Sequence, residues 1–152
     1  MAQSLSKIYI HLIFHIKSTS PEIRDEDLER VHGYIAEVIN KTGCQTFLVG
    51  GISNHVHILL LLAKHECISH VVEEAKRNSS RWIKTIDGHY AQFEWQAGYG
   101  AFSVSQSAVD NTLKYIKNQK EHHRKHTFQE EYLNFLKSYG IEYDERYVFS
   151  KR

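Results

Sequence analysis

From Ile8 to Ile16 apolar residues alternate: Ile8, Ile10, Leu12, Phe14 and Ile16 share one face of a predicted strand. Tyr9, His11, Ile13 and His15 share the other. After Pro21 the period changes, and Leu28, Val31, Ile35, Val38 and Ile39 recur at helical spacing within 22–42, with Gly43 as a C-terminal stop. Two further strands, 45–49 and 55–62, read as a hairpin joined around Gly50, Gly51, Ser53 and Asn54. Residues 68–84 form a second predicted helix, with Ile68, Val72, Ala75, Ser79 and Trp82 on one side and Arg77, Arg81 and Lys84 opposite. The stretch 93–105 is aromatic and extended, bent at Gly98 and Gly100. A third helix opens at Ser107, which has capping-box spacing to Asp110, and runs to His123 or beyond. An amphipathic piece, 129–137, and an aromatic tail with Tyr143, Tyr147 and Phe149 follow.

The order β-α-β-β-α-β-α predicts an α+β fold, a ferredoxin-like or RRM-like antiparallel sheet with helices packed on one face. At 152 residues, 41% of them apolar, the chain has the size of one domain with its own core, spanning 1–152. A single proline and eight glycines leave no room for a Pro- or Gly-rich linker. The longest apolar run, 56–63, is too short to span a bilayer, and the opening MAQSLSKIYIHLIF lacks the long apolar core of a secretory signal. The expectation is a cytoplasmic protein that acts at the nucleoid and has no membrane partner. Cys44 and Cys67, without close partner spacing, fit a reducing compartment and read as small buried side chains.

Net charge is only +1, but it is unevenly spread. Acid gathers at Glu22, Asp25, Glu26, Asp27 and Glu29; base gathers at Lys76, Arg77, Arg81 and Lys84, then at Lys114, Lys117, Lys120, Arg124 and Lys125. The basic helices are either a face for phosphates or solvated surface.

Two constellations can carry chemistry. His55 and His57, two apart on a strand, project to one face, where paired imidazoles suit a divalent metal if other groups complete the shell. On the third helix Tyr115, Gln119, His122 and His126 form a polar stripe beside the apolar stripe of Val109, Leu113 and Ile116. A phenol with a reference pKa of ~10 needs help to act as a nucleophile. A metal on the scissile phosphate provides it, and Gln119 offers a neutral oxygen ligand.

His55-Val56-His57 on a strand, with Tyr115-Ile116-Lys117-Asn118-Gln119 on a later helix, resembles the HUH transposases with one catalytic tyrosine. These are the enzymes of simple bacterial insertion sequences and the REP-associated tyrosine transposases. The resemblance covers most of the chain, including Tyr9-Ile10-His11, Asn78-Ser79-Ser80-Arg81-Trp82 and the run from Trp95 to Val104. It implies that His55, His57 and Gln119 ligate Mg2+ or Mn2+. It implies that Tyr115 attacks single-stranded DNA to leave a 5′-phosphotyrosine and a free 3′-hydroxyl. It further implies hairpin DNA at element ends as partner, and a homodimer in which the tyrosine helix can complete the neighbouring site. Arg77, Arg81, Lys84, Lys114 and His122 are candidate DNA contacts, or else ordinary solvated side chains.

Other readings remain open at this level. His122, His123 and His126 could join the histidine pair in a zinc site, contact phosphate, or sit in solvent. His11 and His15 either neighbour the site or are plain strand surface. Trp82 and Trp95 read as core. A histidine-triad nucleotide hydrolase would need a third histidine where Leu59 stands. The alternative to an enzyme is a domesticated relative that binds DNA hairpins without cutting.

Overall fold

The computed structural model describes residues 2–149. Its elements are β1 (Tyr9–His15), α1 (Asp25–Lys41), β2 (Gln45–Ile52), β3 (His55–Leu61), α2 (Ile68–Ile83), β4 (Gly100–Val104), α3 (Val109–Lys117), α4 (Gln119–His122), α5 (Phe128–Ser138) and α6 (Glu145–Val148). The four strands form one antiparallel sheet in the order β2-β3-β1-β4, the ferredoxin-like arrangement expected from the element order.

Alternation along β1 divides the molecule into two layers. Ile10, Leu12 and Phe14 turn toward α1 and α2, where they meet Leu28, Val31, Ile35 and Ile39 of one helix and Val71, Val72 and Ala75 of the other. Asp25, Glu26 and Asp27 in the first turn of α1 complement its dipole, and Gly43, at φ 97°, follows the C-cap Thr42. Trp95 and Trp82 belong to this layer: Trp95 is buried and donates Nε1–H to Ser79 Oγ at 3.0 Å, while Trp82 stacks on Tyr34. Cys44 is buried here as expected, whereas Cys67 is exposed.

The opposite face is also covered. Tyr9 and Leu59 pack under Ile116 of α3, and Ile13 and Phe102 pack under Phe128, Tyr132 and Leu136 of α5. The expectation of helices on one face therefore holds for α1 and α2, and the later helices add a second layer over the histidine face of the sheet. Between them the two layers bury six of the seven β1 residues, among them Tyr9, His11 and Ile13, which would otherwise face water.

Three local expectations are corrected. The hairpin turn is only Ser53-Asn54, because β2 continues through Gly50 and Gly51 to Ile52. Both glycines are in the strand for close approach: a Cβ on Gly51, at φ 143°, would fall 2.2 Å from the His55 carbonyl oxygen. The predicted third helix breaks at Asn118 (φ −94°, ψ 22°), separating α3 from α4. Ser107 forms no capping box with Asp110; Ala108 takes the N-cap position without a side-chain bond, after a 3-10 turn at Gln106–Ala108. A true capping box opens α5 instead, between Thr127 and Glu130. Among the described residues no helix is long and apolar enough to cross a membrane.

A Cβ on Gly50 would stand 2.7 Å from both Ile116 Cγ2 and the Ile116 carbonyl oxygen, so this glycine sets how closely α3 lies on β2. Gly50→Ala should push the two apart and cost about 1–3 kcal/mol, read as a lower midpoint in urea unfolding.

Candidate active site

His55 and His57 project from β3 into the second layer, and both are fully buried at 0% exposure. Across the sheet His11 of β1 reaches His57, with Nε2 2.8 Å from Nδ1. Above them lie Gln119 of α4 and Glu131 of α5, exposed by only 1% and 3%. Glu131 is the hub. Its Oε1 is 2.9 Å from His57 Nε2, and its Oε2 accepts from Gln119 Nε2 at 3.1 Å and from the Tyr115 hydroxyl. His123, just beyond α4, brings Nε2 to 3.0 Å from Gln119 Oε1, 3.1 Å from His55 Nε2 and 3.3 Å from Glu131 Oε1.

Hydrogen-bond bookkeeping assigns the protons. An ionised Glu131 accepts only, so His57 donates from Nε2 and its Nδ1 lone pair accepts from His11 Nε2–H. His123 Nδ1 lies 2.7 Å from the His126 carbonyl oxygen and donates to it. His55 Nδ1 lies 2.8 Å from Asn54 Oδ1. Nε2 of His55, Nε2 of His123 and the Gln119 carbonyl oxygen converge, 2.9–3.1 Å apart. Three ligating atoms so placed suit a cation. The donor set of imidazoles, an amide oxygen and a carboxylate fits a divalent metal, and His55, His57 and Glu131 form one possible ligand group.

Burial dominates the site's electrostatics. It drives the His57 pKa down to about 4, although Glu131 pulls the other way, and drives His11 down to about 3 with help from His57. Burial alone would raise Glu131, but hydrogen bonds from His55 and His57 outweigh it and hold the carboxyl well below its usual range. Tyr115 moves in the opposite direction: burial and the bond to Glu131 keep its phenol protonated far above the ordinary value.

Of the residues singled out in the sequence, the structure brings together His55, His57, Tyr115 and Gln119, with Tyr115 beside the histidines of its own chain: its ring centroid is 5.7 Å from that of His57. The His122 ring lies 5.4 Å from Tyr115, and His126 is exposed and stacks on His122. Lys114 is exposed on α3. Arg77, Arg81 and Lys84 belong to α2 and its C-cap, in the layer across the sheet, and are not brought to this cluster. Arg77 is paired with Glu73 and Glu74, and Lys84 bonds Ser80 and the Phe93 carbonyl. His123 is not a solvent residue; its side chain is 5% exposed.

Sequence reasoning missed Glu131. The signal was an acid standing in the apolar stripe of α5, in step with Phe128, Tyr132 and Leu136.

A family model described as "Transposase IS200 like" matches residues 4–119, from before β1 through Gln119. The chain belongs to the IS200-like transposase family. The match takes in His55, His57, Tyr115 and Gln119, while His123 and Glu131 lie beyond it. Among curated proteins nothing matches. Two solved structures share the fold. One is a proposed transposase from Deinococcus radiodurans R1, at 21% identity and TM-score 0.60, covering 78% of this chain and 98% of that one. The other is a REP-associated tyrosine transposase bound to a REP hairpin, at 11% identity and TM-score 0.60, covering 81% of this chain and 74% of that one.

Four histidines with lowered pKa values make a prediction for this chain in acid. His11, at about 3, and His15, His32 and His57, at about 4, are neutral when folded and gain a proton on unfolding. The unfolded chain therefore binds more protons between an unfolded pKa of ~6.5 and those values, and stability falls as pH falls through that window. Urea midpoints should drop between pH 7 and pH 5. His32 Nε2 is buried without a hydrogen-bond partner among the described residues. His32→Phe should cut the pH-dependent loss by roughly 1–2 kcal/mol.

Proposed function

We propose that this chain cuts and rejoins single-stranded DNA, with Tyr115 as nucleophile and a divalent cation held by His55, His57 and Gln119, with His123 and Glu131 as further donors. The observation that carries this reading is the convergence of ligating atoms from His55, His123 and Gln119 beside a phenol that is hydrogen-bonded to the same cluster. Family membership supports it, since transposases break and join DNA strands.

The Tyr115 oxygen forms a bond to phosphorus as the bond from phosphorus to the 3′-oxygen breaks. The phenol proton passes along its existing hydrogen bond to the Glu131 carboxylate, and the departing 3′-oxygen takes up a proton to become a hydroxyl. Rejoining is the reverse attack, by a 3′-hydroxyl on the phosphotyrosine, so the bond energy is conserved and no nucleotide is consumed. A bound cation would polarise a non-bridging phosphate oxygen and offset the developing charge. His11 orients His57, and Asn54 orients His55, as outer hydrogen-bond partners.

Glu131 and α5 cover the cluster, so a phosphate approaches it from the Tyr115 side. Mg2+ and Mn2+ are the cations the resemblance implies; several imidazoles among the donors favour Mn2+, because Mg2+ prefers oxygen. The hairpin held by the REP-associated relative supports folded single-stranded DNA as partner. The homodimer implied by the resemblance is part of the same proposal, with the tyrosine used within its own subunit.

The test is incubation with single-stranded oligonucleotides and Mn2+ or Mg2+, followed by denaturing electrophoresis. A covalent protein–DNA band is expected from the unsubstituted chain. Tyr115→Phe should abolish it while leaving the gel shift of bound DNA, and His57→Ala should weaken Mn2+ binding by tenfold or more in calorimetry. A shifted band with no covalent product in the unsubstituted chain would mean a hairpin-binding protein that does not cut.

A further inference from the structure

The grooves on this molecule differ in charge. Glu22 stands in the one beside His15 and Phe128, Glu94 in the one beside Lys17 and Lys76, Asp25 and Glu29 in the one beside His32, and Glu66 and Glu74 in the one beside His70. A groove of about 480 Å³ between β4, α3 and the end of α5 has no carboxylate in its wall, although it adjoins the nucleophile. Tyr115 and His11 form its inner end, Phe135 and Tyr139 one side, and Asn111 and Thr112 the other.

The groove's polar groups divide into committed and free. The Tyr139 hydroxyl donates to the Ser103 carbonyl oxygen at 3.0 Å, which fixes the ring, and Thr112 donates to the Ala108 carbonyl oxygen at 2.8 Å. The Tyr139 side chain is nevertheless 47% exposed. Asn111, one helical turn before Tyr115, is exposed, and its amide makes no hydrogen bond within the described residues. An aromatic wall facing a free amide suits a flat, uncharged heterocycle with donors and acceptors along its edge.

We propose that this groove holds the nucleotide on the 3′ side of the cut, its base against Tyr139 and Phe135 and its edge read by Asn111. The inference rests on the nuclease reading above. Attack by Tyr115 leaves the phosphate joined to the 5′-oxygen of that nucleotide, which stays tethered to the phenol. In-line displacement expels the 3′-oxygen on the side away from the phenol. A groove that shares Tyr115 as a wall therefore belongs to the tethered nucleotide.

The experiment uses the full chain, Mn2+ and a library of single-stranded oligonucleotides with a randomised stretch. Covalent adducts are isolated, the protein is digested, and the DNA left on the Tyr115 peptide is sequenced from its first nucleotide. The unsubstituted chain should show unequal base frequencies at that nucleotide. Asn111→Ala, on an exposed helix position, should flatten them about three- to tenfold, the range for losing a hydrogen bond, with frequencies at more distant positions unchanged. Equal frequencies in the unsubstituted chain, or the same preference in Asn111→Ala, would overturn the assignment; a structural effect of Asn111 would lower yield for every base alike and leave the preference intact. If the unsubstituted chain forms no adduct at Tyr115, the nuclease reading itself fails, and this inference with it.

Discussion

A carboxylate taken out of water needs donors, and Glu131 finds them in residues from three other elements. His57 comes from β3, Tyr115 from α3 and Gln119 from α4, and Glu131 itself descends from α5. Removing such a charge from solvent costs several kcal/mol unless it is fully bonded, so the surrounding elements are constrained to one relative placement. That placement puts a phenol, an amide and the strand histidines within hydrogen-bond reach of one another. The same carboxylate that organises the site also keeps Tyr115 protonated at rest.

The hydrophobic framework allows this arrangement through two close approaches. Glycine at position 50 lets Ile116 press against β2, which brings the tyrosine helix down on the sheet. The break at Asn118 then reorients the chain, so that Gln119 and His123 face inward from a segment distinct from the one bearing Tyr115. An uninterrupted helix would carry its polar stripe straight past the strand histidines.

Much of the fold was legible because periodicity reports burial directly. The alternation in β1, the stripes of α1 and α2 and the strand carrying His55 and His57 all read correctly, and with them the ferredoxin-like antiparallel sheet. The second layer was harder to see, because its sheet face mixes His11, His15, His55 and His57 with apolar residues and so resembles a wet surface. The break at Asn118 has no proline or glycine to announce it. Glu131 was hidden by a rule that is sound on average: acids on amphipathic helices point outward. In the candidate site, the motif residues were therefore visible in the sequence, whereas the carboxylate that joins them and His123, which reaches both His55 and Gln119, emerged only from tertiary contact.

The hydrogen bond between His11 and His57 has a chemical corollary. Bonded to Glu131, His57 carries its proton on Nε2 and accepts a hydrogen bond on Nδ1 from His11. An ion held by His57 through Nε2 would require the imidazole to carry its hydrogen on Nδ1, and the bond to His11 would then reverse. Two rings on neighbouring strands would exchange tautomers without moving an atom heavier than hydrogen, so that β1 registers whether the centre on β3 is loaded.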